Sequence, residues 1–464
     1  MSHSILKGTA LGLLLAAGLS CDPRSFDDLE NTTWVQFAER NDSQVSGSFG
    51  MTVTAVPLAT GQKGARFIVA SANPTGLSQV TFDEHGGLSE QLGSAINTTL
   101  APFSTSAGLI YSLAPYVTST KVQFVAGQTA SGNGTGVAAI MDLGLKTPGT
   151  ALTYPASDNA ANATLYGYGL AVGDLGSAGT AQDVVVVAEN AITLFPGNGT
   201  AAKACYIKRP NVSSGYGGGL HNAVIANING TKRLLVSGNA IRPPIGNNVP
   251  EILFLEASDI VDNTACPVDK AIVLPGGDGT PTASTIVVGD FDGNNTNDVA
   301  FAITYNSSSN TPGTLGVFMN LTDLTGATPV TIPTVQAVDV ATTAFGSVAL
   351  AADVDGVKGD ELIVADPIAS VNNVSQAGHV FVYKSGTTCP ALADGTTATR
   401  GTFCILTMLF DPSPSTKDLY GQAMAVTPFD AAATSPRPNV LAISENNKLW
   451  VYFRAIASAK DPRL

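Results

Sequence analysis

The sequence predicts an all-β protein, a seven-bladed β-propeller, and three observations support that fold class. Charged residues make up only 13% of the 464 residues, whereas glycine alone occurs 48 times, and such a composition is typical of strands and turns. Seven units with the same order of parts follow one another along the chain. A strand-like segment at 32–39, "TTWVQFAE", precedes the first unit and belongs to none of them.

Each unit contains a glycine, a short apolar strand, a polar loop, a second strand rich in Val, Ile and Leu, a turn, and a third strand with alternating aromatic residues. Clear copies are "STIVVGDFDGNNTNDVAFAI" and "FGSVALAADVDGVKGDELIVADP". The positions that open the units are Gly50, Gly108, Gly169, Gly219, roughly Thr285, Gly346 and Gly421. Their intervals, roughly 50 to 75 residues, suit units of three or four strands.

Antiparallel units that each expose an apolar face are best accommodated by radial stacking, so a propeller is preferred over a solenoid. The last unit ends with "KLWVYF", and the "RAIASAKDPRL" that follows is too short for a convincing fourth strand. We expect 32–39 to supply that outer strand, which would close the ring and remove an exposed sheet edge. The propeller is therefore predicted to span 32–458, with its first blade opening near residue 49.

Residues 1–20 have the features of an export signal, because Lys7 gives a positive start and an apolar run too short to span a bilayer follows it. The stretch "AAGLSC" resembles the lipobox of bacterial lipoproteins, although Gly18 stands where a larger aliphatic residue is usual. This resemblance implies that Cys21 is acylated, that 21–31 form a tether, and that the exported protein is anchored at the bacterial envelope, facing the periplasm or the cell surface. Ordinary signal cleavage, which leaves Cys21 as a thiol or disulfide partner, is the alternative.

The four remaining cysteines form an even set that suits an oxidising compartment. We expect Cys389 to pair locally with Cys404, and Cys205 with Cys266 by elimination. Four cysteines nevertheless allow three connectivities.

The units resemble FG-GAP repeats, which form the seven-bladed propeller of integrin alpha chains and occur in many bacterial surface proteins. The Phe-Gly pair, or Tyr-Gly in its place, stands at Phe49-Gly50, Tyr168-Gly169, Phe345-Gly346 and Tyr420-Gly421. The "GAP" element is present in weakened form as "VADP" and "SANP". The resemblance covers most of 32–453. It implies that a ligand is contacted through loops on one face, while calcium rigidifies the opposite loops.

The loop "DFDGNNTND" in the fifth unit has the pattern of a calcium site. Asp290, Asp292 and Asn294 offer side-chain oxygens at positions 1, 3 and 5, Thr296 offers its carbonyl at position 7, and Asp298 closes the loop at position 9. Hard oxygen ligands in this number suit Ca²⁺ rather than a transition metal. An EF-hand is excluded because position 6 is not glycine and a strand follows. A turn whose carboxylates face solvent is the alternative.

The sixth unit contains a related loop, "DVDGVKGDE", with fewer oxygen ligands. Asp353 and Asp355 hold positions 1 and 3 and Glu361 holds position 9, but Val357 replaces the ligand at position 5. We expect a weaker calcium site here, or a turn without metal.

Few titratable side chains are available for catalysis on the predicted inner strands. Apart from the loop aspartates they offer His221, and a lone histidine is usually structural; His85 and His379 are separate from it in the repeat scheme. In the third unit, Asp174 and Asp183 remain, but the middle ligands are absent, so no calcium is expected there.

The charge balance and motifs favour a binding protein rather than an enzyme. Acidic residues outnumber basic ones by 36 to 23, and no basic cluster is present, so nucleic acid is not an expected partner. The glycine-rich stretches 215–220 and 276–280 lack the strand, lysine and helix of a phosphate loop. We expect a calcium-stabilised monomer that binds a protein or glycan ligand at the envelope, as an adhesion or scaffold propeller. The alternative is a propeller hydrolase or lyase acting on a glycan or lipid.

Overall fold

The computed structural model describes residues 34–39, 49–58, 62–72, 75–83, 87–95, 101–103, 108–129, 136–155, 165–176, 181–207, 219–239, 249–275, 281–305, 311–321, 330–332, 336–337, 339–340, 342–385, 403–428 and 439–453. The export signal, Cys21, the tether and the stretch 276–280 lie outside the described residues, and the inferences about them stay predictions.

The described chain is built from β-strands and two single-turn 3₁₀ helices, Ala257–Asp259 and Val268–Lys270, so the all-β prediction is confirmed. No helix in this part of the chain has the length and apolar character needed to cross a membrane. Strand β1 (Trp34–Glu39) precedes the first blade. The strands of blades 1 and 2 are β2 (Phe49–Ala55), β3 (Ala65–Ser71), β4 (Gly76–Phe82) and β5 (Leu88–Ala95), then β6 (Ile110–Val117), β7 (Val122–Gln128), β8 (Val137–Asp142) and β9 (Thr150–Leu152).

Blades 3 and 4 contain β10 (Gly169–Gly173), β11 (Asp183–Val187), β12 (Ala191–Phe195) and β13 (Lys203–Tyr206), then β14 (Leu220–Ile228), β15 (Thr231–Asn239), β16 (Pro250–Leu255) and, after the short β17 (Thr264–Ala265), β18 (Ala271–Val273). Blade 5 contains β19 (Pro281–Gly289), β20 (Asp298–Tyr305), β21 (Thr314–Phe318) and β22 (Val330–Ile332), and a two-stranded ribbon follows it, β23 (Gln336–Ala337) with β24 (Asp339–Val340). Blade 6 contains β25 (Ala349–Ala352), β26 (Glu361–Asp366), β27 (His379–Ser385) and β28 (Phe403–Leu409). Blade 7 contains β29 (Ala423–Pro428), β30 (Asn439–Glu445), β31 (Lys448–Phe453) and, from the start of the chain, β1.

The seven sheets form a closed ring. The first strands of successive blades contact one another in the cycle β2, β6, β10, β14, β19, β25, β29 and back to β2. Each interface between neighbouring blades has its own buried apolar cluster. Because a blade buries both of its faces in this arrangement, its middle strands are almost continuously apolar rather than alternating, as in "DVVVV" of β11. The prediction of a seven-bladed propeller is confirmed.

Strand β1 closes the ring as predicted. It pairs antiparallel with β31, from Trp34 opposite Phe453 to Glu39 opposite Lys448, and so becomes the outermost strand of blade 7. The rings of Phe82 in blade 1 and Phe453 in blade 7 pack edge to face with centroids 5.8 Å apart. The two ends of the propeller sequence therefore meet in one blade, which leaves β31 without an exposed edge.

In the structure, the Phe-Gly-like motif of the third unit lies two residues before the position assigned from the sequence. Gly50, Gly346 and Gly421 have positive φ values of 92°, 85° and 90°, a region that favours glycine, and each follows a fully buried aromatic residue. In the third unit, the glycine with this conformation is Gly167 at φ 87°, and Tyr166 before it is buried. The motif is thus Tyr166-Gly167, and the sequence assignment to Tyr168-Gly169 was wrong.

A disulfide joins blades 3 and 4 at their outer edges. The segment after β16 reaches from blade 4 to blade 3, where β17 pairs in parallel with β13 as a fifth strand. Cys205 of β13 and Cys266, just after β17, are joined with an Sγ–Sγ distance of 2.07 Å, which is the pair expected from the sequence. Cys404 is also disulfide-bonded, and Cys389, its expected partner, lies outside the described residues.

Candidate metal centre and neighbouring acidic clusters

The two faces of the propeller carry different turns. If the strands of a blade are called A to D from the ring axis outward, the A–B and C–D turns lie at one end of the sheet, because neighbouring strands are antiparallel. We call this end the AB face. The opposite end, the BC face, carries the B–C turns and the connections between blades. The predicted calcium loops of blades 5 and 6 are A–B turns and lie on the AB face.

Asp298 fixes the loop of blade 5 from its last position. Its side chain is fully buried, and its two carboxylate oxygens accept hydrogen bonds from the backbone N–H groups of Phe291, at 3.0 Å, and Asn320, at 2.7 Å. Asn320 lies after β21, in the C–D connection. The carboxylate therefore joins the A–B turn to the C–D connection of the same blade.

Three carboxylates of this loop converge. Oxygen atoms of Asp290, Asp292 and Asp298 all lie within 4.8 Å of one another. Asp290 Oδ2 accepts a hydrogen bond from the N–H of Asn295 at 2.7 Å, but Asp290 Oδ1 is buried and has no hydrogen-bond partner among the residues that the structure describes. Asp292 Oδ1 accepts from the N–H of Asn294 at 3.1 Å.

Asn294 and Thr296 are less clearly arranged as ligands. Asn294 Oδ1 accepts a hydrogen bond from the N–H of Thr296 at 2.6 Å, while Asn294 Nδ2 donates to Asp292 Oδ2 at 3.0 Å. Asn294 Nδ2 also donates to Asn320 Oδ1, and Asn320 Nδ2 donates to Asp292 Oδ2 at 3.1 Å. Asn320 thus belongs to the cluster although sequence reasoning missed it. The sequence feature that could have identified Asn320 is its position two residues after Phe318, the aromatic residue that ends β21.

Negative charge in this loop is poorly compensated. Burial raises the pKa of Asp298; the hydrogen bonds from Asn320 and Phe291 act against this rise, and the charges of Asp292 and Asp290 add to it. Among the residues that the structure describes, no lysine or arginine forms an ion pair with the three carboxylates. An unpartnered buried oxygen beside two further carboxylates is costly without a cation.

In the loop of blade 6, by contrast, a lysine ammonium lies among the carboxylates. Oxygens of Asp353, Asp355 and Glu361 also lie within 4.8 Å of one another. Lys384 Nζ, near the end of β27, forms ion pairs with Asp355 and with Glu361, the latter at 3.0 Å. The N–H of Val354 donates to Glu361 Oε2 at 2.9 Å.

Burial and charge oppose each other in the blade 6 cluster. Burial raises the pKa of Glu361 to about 7, although the hydrogen bonds from Val354 and Lys384 act to lower it. Burial acts to lower the pKa of Lys384, but its bonds to Asp355 and Glu361 outweigh this and raise the pKa. Lys384 is therefore held as a cation, and its ammonium group offsets the negative charge of Asp355 and Glu361.

Blade 3 has the same final carboxylate without a cluster. The buried Asp183 accepts hydrogen bonds from the N–H groups of Leu175, at 2.8 Å, and Gly197, at 2.7 Å. These donors correspond to Phe291 and Asn320, which donate to Asp298 in blade 5. Asp174 instead forms an exposed ion pair with Lys232 of blade 4. The last carboxylate of the loop thus has a role in joining turns that is independent of any metal.

A third acidic cluster lies on the BC face and was not predicted. Asp411, Asp418 and Glu445 approach within 4.8 Å, and Lys448 Nζ pairs with Glu445 at 3.0 Å and with Asp411 at 3.5 Å. Burial raises the pKa of Glu445 to about 7, against the hydrogen bond from Lys448. The connection between blades 6 and 7 and the β30–β31 turn supply these residues, and no single loop motif contains them.

The histidines are separate from the acidic clusters. His379 is only 2% exposed and packs edge to face on Phe381 with centroids 4.5 Å apart, and burial lowers its pKa to about 4. His221 lies at the start of β14, where its ring contacts that of Tyr168 at 6.0 Å. His85 lies outside the described residues.

Comparisons with known proteins give a structural likeness and no sequence family. No protein-family model matches the chain. No curated protein matches it either. Among solved structures, BBS1N in complex with ARL6DN is similar with a TM-score of 0.48 and 11% sequence identity, over 91% of this chain and 99% of that chain. The assignment of the fold rests on the cycle of seven sheets in the chain itself.

Proposed function

We propose that this chain is a calcium-stabilised propeller of the FG-GAP type, which binds a protein or glycan ligand at the bacterial envelope as an adhesion or scaffold module and is held there by a lipid on Cys21. The observation that carries the calcium part is the buried Asp290 Oδ1, which lies beside two other carboxylates and has no hydrogen-bond partner in the described part of the chain. The propeller fold is consistent with a binding or scaffold role.

Calcium would be held by the carboxylates of Asp290, Asp292 and Asp298. Rotation of the Asn294 amide would exchange its oxygen and nitrogen and could add a neutral oxygen, with the Thr296 carbonyl as a further ligand. Such an oxygen-only donor set is the one Ca²⁺ prefers. When bound, the ion supplies positive charge that offsets the mutual repulsion of the carboxylates.

The loop is also placed to link three blades. The N–H of Asp290 donates to Asp360 Oδ2 of blade 6 at 2.9 Å, and the N–H of Asp360 donates back to the Asp290 carbonyl at 2.8 Å. Asn297 Nδ2 donates to the Asn227 carbonyl of blade 4 at 2.8 Å. A cation that orders this loop would therefore stabilise the AB face across blades 4, 5 and 6 and leave the BC face available for a ligand.

Calcium binding can be tested directly by isothermal titration calorimetry on the purified propeller. We expect one equivalent of Ca²⁺ in the parent, and none in Asp292→Ala. The matched control is Asp355→Ala, which changes the same loop position in blade 6 and should keep the equivalent. Absence of heat from the parent, or unchanged binding in Asp292→Ala, would refute the site.

The anchor and the binding role need separate tests. Cells that express the full chain should yield it in the detergent phase after partitioning, and Cys21→Ser should move it to the aqueous phase; a parent already in the aqueous phase would argue against the lipid. For binding, the immobilised propeller should retain a specific envelope protein or glycan with calcium present. Retention of nothing beyond what an unrelated propeller retains would contradict the binding role.

A further inference from the structure

Blade 1 has an open cleft at the place where blade 5 has its acidic loop. The cleft has a volume of about 440 Å³ and is lined by the end of the A–B turn, the facing parts of β3 and β4, and the start of the C–D turn. It therefore lies on the AB face. Blade 1 has no acidic pair in its A–B turn, and the basic residues Lys63 and Arg66 line the cleft instead.

Two adjacent polar groups in this cleft lack partners. Arg66 on β3 stands directly opposite Thr81 on β4, and directly opposite residues project from the same side of a sheet. Arg66 Nε and Thr81 Oγ1 are both buried and have no hydrogen-bond partner among the described residues. Leaving a buried donor and a hydroxyl unpaired is unfavourable, so a polar ligand or ordered water would be expected to reach them.

Charged groups of both signs surround the cleft, and the guanidinium of Arg66 is the group among them that favours a carboxylate ligand. Burial lowers the pKa of Arg66, and the charge of Glu90 only partly offsets this effect. Lys63 and Arg66 share these surroundings with two carboxylates: Asp83 lines the cleft and accepts the N–H of Gly87 at 2.8 Å, and Glu90 on β5 stands directly opposite Thr81. The carboxylates of Asp83 and Glu90 would oppose a dianion such as phosphate more strongly than a monoanion, and a ligand carboxylate matches the planar fork of an arginine.

The remaining lining fits a small polar molecule. Leu58 and the buried Phe82 provide apolar wall, and Ser89 and Thr81 provide hydroxyl groups, which is the mixture of many apolar contacts and a few placed polar groups found in small-molecule sites. We propose that this cleft binds the carboxylate of a small ligand through Arg66 and Thr81. A uronic acid unit of a glycan and the C-terminus of a peptide share this chemistry.

The proposal goes beyond the calcium and anchor proposals and does not depend on them, because the cleft uses residues of blade 1 alone. The test is ligand-observed NMR titration of the purified propeller with two probes, glucuronate and N-acetylalanine, each with calcium and with chelator. Glucose and N-acetylalanine amide are the uncharged controls. We expect one of the two carboxylates to bind in both conditions and the uncharged controls not to bind.

Arg66→Gln should weaken binding of that probe at least about tenfold, as expected for loss of a charged hydrogen-bond partner. Thr81→Val, which nearly keeps the side-chain shape, should weaken it less and serves if Arg66→Gln does not fold. Lys121→Gln, in the A–B turn of blade 2, is the control and should leave binding unchanged. Preference for glucuronate would identify the glycan source, and preference for N-acetylalanine the peptide source. Failure of both probes to bind, or equal binding by the parent and both cleft variants, would overturn the proposal.

Discussion

The A–B loops of blades 5 and 6 have the same length and carry carboxylates at positions 1, 3 and 9, but their negative charge is balanced differently. In blade 6, Lys384 enters the cluster from the end of β27 and pairs with Asp355 and Glu361. In blade 5, Asn320 lies two residues after the end of β21 and contributes hydrogen bonds without charge. A side chain at or just after the end of the third strand, rather than the number of loop carboxylates, thus determines whether a loop has its own cation.

The largest expected difference between the two loops is in their response to calcium. Calcium at ~100 times its dissociation constant should stabilise the parent by about 2.7 kcal/mol, because the unfolded loop cannot gather the ligands of the blade 5 site. The melting temperature should therefore rise with calcium and fall with chelator. Asp292→Ala should lose most of this response.

Asp355→Ala is the matched control for that measurement, since it changes position 3 of the blade 6 loop, where Lys384 already provides positive charge. It should respond to calcium as the parent does. If Asp292→Ala also responds like the parent, calcium binds elsewhere or not at all, and the comparison between the loops fails.

A second experiment removes the internal cation of blade 6. Without calcium, Lys384→Ser should destabilise the protein by about 2 kcal/mol. This value lies between those of an exposed and a fully buried ion pair, because Glu361 is buried but the ammonium of Lys384 is partly exposed. With calcium, part of this loss should be recovered, and calorimetry should show a second equivalent. Should Lys384→Ser gain no calcium binding, the lysine would not be a substitute for a metal ion.

The sequence was sufficient to predict the ring and its closure, because the repeat period and the unassigned segment 32–39 are visible without coordinates. It was insufficient to place the third-unit motif, since "YGYG" offers two Tyr-Gly pairs. The backbone hydrogen bonds distinguish the two pairs. The N–H of Tyr168, which follows Gly167, donates to the Leu165 carbonyl at 3.0 Å. In the same way the N–H of Gln422, which follows Gly421, donates to the Leu419 carbonyl.

The candidate site was only half predictable for a related reason. The loop carboxylates are contiguous in sequence, and their spacing indicated that they would converge. Lys384 and Asn320 come from more than 20 residues further along the chain, and only the β-sheet register brings them to the loops. The ends of the third strands carry a signal for both, because Lys384 directly follows the last aromatic residue, Tyr383, and Asn320 lies two residues after Phe318.

The pH dependence of stability should separate the buried glutamates from His379. The pKa of Glu361 is raised to about 7 from 4.5, so the folded state binds a proton more tightly than the unfolded state. Its contribution is fully present below about pH 4.5 and is lost as the pH rises towards 7. The pKa of Glu445 is also raised to about 7, so its contribution to stability falls with pH in the same way. The pKa of His379 is lowered from 6.5 to about 4, so its contribution to stability rises with pH between these two values.

Because these contributions overlap, the measurement is a difference between variants. Unfolding free energies of the parent and Glu361→Gln should be compared from pH 4.5 to 7.5. The variant should lose less stability than the parent as the pH rises across this range. A parallel pair of profiles would mean that Lys384 keeps Glu361 ionised throughout, and the blade 6 cluster would then be a simple ion pair.

The smallest expected effect is at the blade 3 loop, where Asp174 pairs with Lys232 of blade 4 and both side chains are largely exposed. The hydrogen bond from Lys232 lowers the pKa of Asp174, so any stability it adds is present above about pH 3.8 and is lost as the pH falls below that value. Solvent and salt screen such a pair. Asp174→Asn should therefore leave both the melting temperature at pH 7 and the calcium response within experimental error. A clear loss of the calcium response in Asp174→Asn would place a metal ligand in blade 3, and the distinction drawn between loops with and without converging carboxylates would have to be abandoned.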